Sequence, residues 1–171
     1  MHWWLLFFTA WQFNITPETL EQRARIRWMS VSDVEQAVQR EPRPILMYMH
    51  TSWCGWCRKM ERSTFRHSEL ARYVNEHYYA VSFDGEYRQP VTFNGKTYRY
   101  RASEKIHELT LYLTRGEPAF PTIVFLNGPE GSPSPLAGYL TAKQLEAPLK
   151  YFKQQPTISF ESFLNSFKSD W

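Results

Sequence analysis

Apolar residues in this chain fall into short, dense runs separated by charged segments with helical spacing. Ile45-Leu46-Met47-Tyr48-Met49 is apolar at every position. A strand reads that way only when both faces are covered, so this run is assigned to the centre of a sheet. Tyr78 to Asp84 and Thr122 to Leu126 are two further strands. Between the first two, Met60, Phe65, Leu70, Tyr73 and Val74 recur at helical spacing, which predicts one long helix or two joined near residues 63–68. Such a right-handed crossover makes the strands on either side of it parallel. Ahead of the central strand, Arg27-Trp28-Met29 is a candidate edge strand. Ser32-Asp33-Val34-Glu35 reads as a capping box that opens a helix through Val38, stopped by Pro42 and Pro44.

The second half continues the alternation with one interruption. Val91 to Tyr100 alternates around Asn94-Gly95, a hairpin turn signal, and forms an insertion between strand and helix. The insertion is expected to shape a substrate groove and to be dispensable for folding. Ser103 then starts a helix carrying Ile106, Leu109, Leu111 and Leu113, ended by Gly116 and Pro118. A turn at residues 127–131 leads to a short last strand, Leu136 to Tyr139, and Thr141 to Phe152 is a helix. In the tail from Thr157 to Trp171, Phe160, Phe163, Leu164 and Phe167 share one helical face. Docking of that face on the domain is the expectation, with a partner or membrane surface as the alternative.

Composition narrows the function. With 171 residues, 43% of them hydrophobic and 17% aromatic, the chain fits one domain with appendages. A net charge of +3, with basic and acidic residues interspersed, gives no support to nucleic-acid binding. No stretch reaches the ~20 apolar residues of a spanning helix. Met1 to Phe13 has the length of a signal-peptide apolar region, and an apolar segment packed on the domain is the alternative. Thr16-Pro17-Glu18 then resembles a helix start. The chain accordingly divides into residues 1–14 (signal peptide or apolar segment), 15–154 (the domain) and 155–171 (an amphipathic tail). Export would place the protein in the periplasm or another extracytoplasmic compartment. Having only two cysteines avoids wrong pairings there and fits the cytoplasm equally well.

Those two cysteines carry the chemistry. In Trp53-Cys54-Gly55-Trp56-Cys57-Arg58-Lys59-Met60 they lie three positions apart, after a strand and at the start of a helix. Unpaired N–H groups and the helix dipole at that place stabilise a thiolate, most of all on the cysteine nearest the terminus. Cys54 is therefore assigned as the attacking thiolate and Cys57 as the resolving thiol. Zinc held by Cys54, Cys57 and His50 or His67 is a poor alternative, because a second cysteine pair is missing. Gly55 lets another backbone approach the sulfurs. Trp56, between the cysteines, is expected to face solvent and contact an apolar substrate segment, whereas Trp53 is read as packing towards the core beside that surface.

The stretch resembles the centre of the thioredoxin superfamily, narrowly that of bacterial thioredoxin-like proteins with a Trp-Cys-Gly-Trp-Cys centre. Ala119-Phe120-Pro121-Thr122, before the third strand, is similar to the family's second mark. The resemblance covers about Trp28 to Phe152. It implies an α/β fold, a three-layer α/β/α sandwich with a mixed central sheet, here with a β-hairpin insertion and a C-terminal helical tail. It also implies that Pro121 is cis and faces the cysteines, that Phe120 pairs with a substrate strand, and that the substrate-binding set is Trp53, Gly55, Trp56, Phe120 and Pro121. The activity implied is thiol-disulfide exchange with disulfides of client proteins, as a reductase, with a redox partner and without a bound organic cofactor. A protein-binding or chaperone module with little turnover is the alternative. One position departs from the family, because Tyr48 stands where many members carry an aspartate that takes the proton of the resolving thiol. Tyrosine is a poor base at neutral pH. Either water or another side chain, with Glu76, Asp84 and His50 as candidates, takes that proton, or resolution by Cys57 is slow.

Overall fold

The computed structural model describes residues 25–171. The N-terminal apolar segment and the helix start at Thr16 lie outside the described residues. Five strands form one mixed sheet in the order β1, β3, β2, β8, β9. They are β1 (Trp28–Met29), β2 (Ile45–His50), β3 (Tyr79–Asp84), β8 (Thr122–Leu126) and β9 (Ser134–Ala137). β1 and β2 run parallel to β3, while β8 is antiparallel to both β2 and β9. The all-apolar run is thus the middle strand, as its pattern predicts.

Alternation along the three inner strands divides the core. Leu46, Tyr48, Ala80, Ile123 and Phe125 point to one side, where they meet Cys54, Cys57, Met60, Leu70, Val74, Leu145 and Leu149. Apart from Cys54, which caps the first of them, these come from α2 (Gly55–Arg62), α3 (Ser68–His77) and α5 (Ala142–Gln154). Ile45, Met47, Met49, Val81, Phe83, Val124 and Leu126 point to the other side, against Val31 and Val34 of α1 (Val31–Arg40) and Leu109 and Leu113 of α4 (Glu108–Leu113). The result is helices over both faces of one sheet. The crossover from β2 to β3 is two helices joined by a 3₁₀ turn, Thr64–Arg66.

Three boundaries differ from the sequence expectation. Ser30, not Ser32, caps α1, its hydroxyl accepting the Asp33 N–H at 3.1 Å. Starting two residues earlier brings Val31 into the helix and the core. Ser103 does not open a helix. Tyr100–Arg101 (β6) instead pairs with Ile106–His107 (β7), the His107 N–H bonds Gly85 O at 2.8 Å, and Lys105 takes the left-handed φ of 54°. Helix α4 starts after this pairing, so Thr110 is buried and Leu111 is half-buried. The last strand is shifted to Ser134–Ala137, because Gly138 turns the chain at φ 99° and donates to Pro121 O. Pro135 is accommodated because β9 is an edge.

The predicted hairpin is present as β4 (Val91–Phe93) and β5 (Lys96–Tyr98) around Asn94 and Gly95, both at positive φ as a two-residue turn of this kind requires. It is more than an appended wall, since Phe93 and Tyr98 are buried in the core beneath α1 and α4. The tail forms α6 (Phe160–Ser166) and docks: Tyr151 meets Phe160 and Phe163, and Trp171 reaches His67 and Tyr73. Leu164 does not share that contact and stays exposed.

Candidate functional site

Strand β2 delivers the chain to Cys54 through residues 51–53, and Cys54 is the N-cap of α2. Its Sγ occupies the place that a serine or aspartate oxygen usually takes in a cap, accepting the Cys57 N–H at 3.0 Å. The two sulfurs are joined in a disulfide, with Cα atoms 5.2 Å apart. Both cysteines are nearly covered while their neighbours stand out: Trp53 is 63% and Trp56 57% exposed. For Trp56 this is the predicted orientation; its ring leans on Tyr139 at 5.5 Å, and Lys59 Nζ lies 4.8 Å from its centre. Trp53 is corrected. It does not enter the core but stands edge-on against Phe120 at 5.9 Å, because the loop before the helix turns inward at Thr51 and outward at residues 52–53.

The second motif comes to the same end of the sheet. Met49 is paired with Thr122, so Phe120 and Pro121 lie beside the end of β2 that leads to the cysteines. The Phe120-Pro121 bond is cis. Phe120 rests on Gly85, where an added Cβ would sit 2.4 Å from the ring, so only glycine leaves room for it. Gly85 N–H in turn bonds His50 O at 2.7 Å, tying β3's end to β2's. Gly85 is a site residue that the sequence reading missed, since nothing local marks a glycine that is required by a distant ring.

Tyr48 fills the position of the missing aspartate. It is buried against Trp28 and Phe65 and stacked on His50 at 5.1 Å. Its hydroxyl donates to Glu61 Oε1 at 3.1 Å. Burial, then the Glu61 charge and that bond, push the phenol far above its ordinary range, so it stays protonated. Glu61 was also missed, although its spacing was visible: it lies four residues after Cys57, on the same helix face. Each of the acceptors suggested by sequence has a partner of its own. Glu76 lies beside Arg72 and His77 on α3, Asp84 Oδ1 accepts the Glu86 N–H at 2.9 Å, and His50 Nε2 shares a hydrogen with Ser82 Oγ at 3.0 Å. His67 caps α3 by accepting the Leu70 N–H and stacks on Trp171. Among the described residues, no group of three or more His, Cys, Asp or Glu side chains is placed to hold a metal ion.

Comparison with known proteins agrees with this geometry. The sequence pattern of the family described as "Thioredoxin-like domain" matches residues 31–153. Spermatogenesis-associated protein 20 of Mus musculus is 36% identical over 53 residues, which is 31% of this chain and 7% of that protein. Disulfide bond reductase DsbH of Chlamydia pneumoniae is 25% identical over 107 residues, 61% of this chain and 58% of that protein. The chain thus spans less than two thirds of either curated relative. Among solved structures, one described as DsbH oxidoreductase superposes with a TM-score of 0.55 at 20% identity, covering 78% of this chain and 88% of the other. A thioredoxin-fold protein from Helicobacter pylori gives 0.53 at 19% identity, with 85% and 88% covered. At those identities the likeness concerns the fold.

Proposed function

Because the chain belongs to the thioredoxin-like family, we propose that it is a protein thiol-disulfide oxidoreductase that reduces disulfides of client proteins through Cys54 and Cys57. The observation that carries this reading is Cys54 at the N-cap of α2 with the Cys57 N–H on its sulfur, within bonding reach of the second thiol. In the reduced protein the same N–H and the helix N-terminus stabilise negative charge on Cys54 Sγ. That thiolate attacks one sulfur of a client disulfide. An S–S bond forms between Cys54 and the client, and the client's other sulfur leaves as thiolate. Cys57 then loses its proton and attacks Cys54 Sγ, releasing the second client sulfur and closing the Cys54–Cys57 disulfide. The client has gained two electrons, and a dithiol partner must return two to the protein before the next cycle.

Glu61 is the proposed acceptor of the Cys57 proton. It is one helical turn away, and the Tyr48 hydroxyl holds its carboxylate in place. Trp53, Gly55, Trp56, Phe120 and Pro121 form the proposed client surface, with two exposed indoles on either side of the first sulfur. Residues 1–14 are proposed as an export signal, residues 15–154 as the domain and residues 155–171 as its docked tail, so that the protein acts outside the cytoplasm. Among the described residues no helix is long and apolar enough to cross a membrane. The decisive experiment follows reduction of a disulfide-bonded protein by a chemical dithiol with and without this protein, and measures its reduction potential. Acceleration, with a potential below about −220 mV, is expected of a reductase. No acceleration over the dithiol alone overturns the reading.

A further inference from the structure

The hairpin insertion creates a cleft of about 790 Å³ against α1 and the ends of β2 and β3. That volume is in the range of pockets that hold a side chain or small ligand. Its walls include Glu35 of α1, His50 and Ser82 of the sheet, Asp84 at the end of β3, and Tyr87 and Val91 on the insertion side. Glu35 and Asp84 are the acidic residues of this lining, and no lysine or arginine is among the described residues that line it, while Arg88 and Lys105 lie in the adjoining cleft beyond Asp84 and Tyr87. The carboxylates have capacity to spare. Among the described residues, Glu35 accepts the Asn94 N–H through Oε1 and Asp84 the Glu86 N–H through Oδ1, which leaves the second oxygen of each for another donor. Tyr87 is a large aromatic side chain left exposed beside them. Anionic oxygens next to an open aromatic face form a receptor for an alkylammonium or guanidinium group.

The cleft is joined to the redox centre by short links. His50 begins the passage from β2 to Cys54, its carbonyl binds Gly85, Gly85 carries the ring of Phe120, and Phe120 meets Trp53. From this we infer that the cleft is a specificity subsite that takes a lysine or arginine side chain of the client polypeptide, next to the disulfide being reduced. The inference rests on the client-reductase reading above and adds the class of client: proteins with basic residues flanking the disulfide. An incoming cation would pair with Asp84 or Glu35 and lie against Tyr87, while the client sulfur meets Cys54.

Two measurements test it separately from the redox reading. In the first, a disulfide-free peptide containing lysine and its glutamate counterpart are titrated at low ionic strength into the oxidised protein, with NMR shifts recorded at His50, Ser82 and Tyr87. The lysine peptide should shift these residues, and a Glu35→Gln, Asp84→Asn variant should lose that response. In the second, two client peptides with the same disulfide, flanked by lysine or by glutamate, are compared by kcat/KM. The lysine client should be favoured about fivefold, as one partly exposed charge pair allows, and the ratio should fall to about one in the double variant. Equal binding of the two peptides, or a ratio that the variant leaves intact, overturns the subsite. Lysine-dependent binding without turnover of either client upholds the subsite and overturns the reductase reading instead.

Discussion

Cys54 and Cys57 are equal in chemistry and unequal in position, and that inequality separates their roles. Cys54 is a helix cap whose sulfur receives an N–H; Cys57 is inside the first turn and fully covered. Cys57→Ser should therefore accumulate a mixed disulfide with clients, and Cys54→Ser should abolish reduction without trapping anything. Non-reducing gels read both outcomes, and equal trapping by the two variants contradicts the assignment. Serine keeps a capping oxygen, so Cys54→Ser should also retain the stability of the reduced protein, while Cys54→Ala should lose about 1 kcal/mol. The second residue to examine is Glu61. Glu61→Gln removes the acceptor but can still accept the Tyr48 hydrogen bond, so the fold should persist while the mixed disulfide lives about tenfold longer near neutral pH. Unchanged lifetime in a stopped-flow measurement would assign the proton to water.

At the scale of elements, the insertion and the third-strand loop show how distant pieces complete a centre that one motif begins. The hairpin was expected to be removable, but Phe93 is fully buried between α1 and α4. Phe93→Ala should destabilise the protein by about 3–5 kcal/mol in denaturant titration, as a large-to-small change in a packed core does. A loss under 1 kcal/mol would return the hairpin to the status of an appended wall. Gly85 has the opposite character, small because something else is large. Gly85→Ala should leave a folded protein in which the Phe120 ring is displaced from its seat, with client turnover reduced more than reduction of a small disulfide. Identical losses on both substrates would show that Phe120 does not meet the client.

Over the whole molecule, stability is tied to pH by two buried groups on opposite sides of the sheet. Burial pushes the Glu146 carboxyl up, but bonds from Lys150, Ser169 and the Asp170 N–H outweigh it and hold it below the usual range. Lys150 also bonds Asp170, so this one buried carboxylate fastens the C-terminus to α5. Its stabilisation is complete above the ordinary carboxylate pKa and is lost as pH falls towards the lowered one. His107 works in the same direction at higher pH. Burial holds its imidazole neutral, with Nδ1 accepting the Leu109 N–H and Nε2–H donating to Gln89 O. The unfolded chain takes up that proton first, so stability starts to fall below the ordinary imidazole value of about 6.5. Melting temperature should therefore decline in two stages between pH 7 and 3, and removing residues 169–171, which leaves only the Lys150 bond on Glu146 among those named, should shrink the acid stage and lower stability at pH 7. A pH-independent melting temperature contradicts both assignments.

The succession of strands and helices along the chain, the central place of Ile45–Met49, the Asn94-Gly95 turn and the placement of Cys54 and Cys57 at a helix start were legible in the sequence because each depends on local spacing. A run apolar on both faces has one place in a sheet, and two thiols three apart at a helix start have one geometry. Other features depend on what arrives from elsewhere. Trp53 faces out because of a loop turn and the approach of Phe120, and Ser103 fails to start a helix because Tyr100 and Arg101 pair with residues 106–107. Gly85 is needed only because a ring 35 positions later settles on it, and Glu61 becomes a candidate base only where the Tyr48 hydroxyl meets it. Spacing determines contacts within a turn or a strand; contacts between elements are set by packing, and that the tertiary structure alone decided.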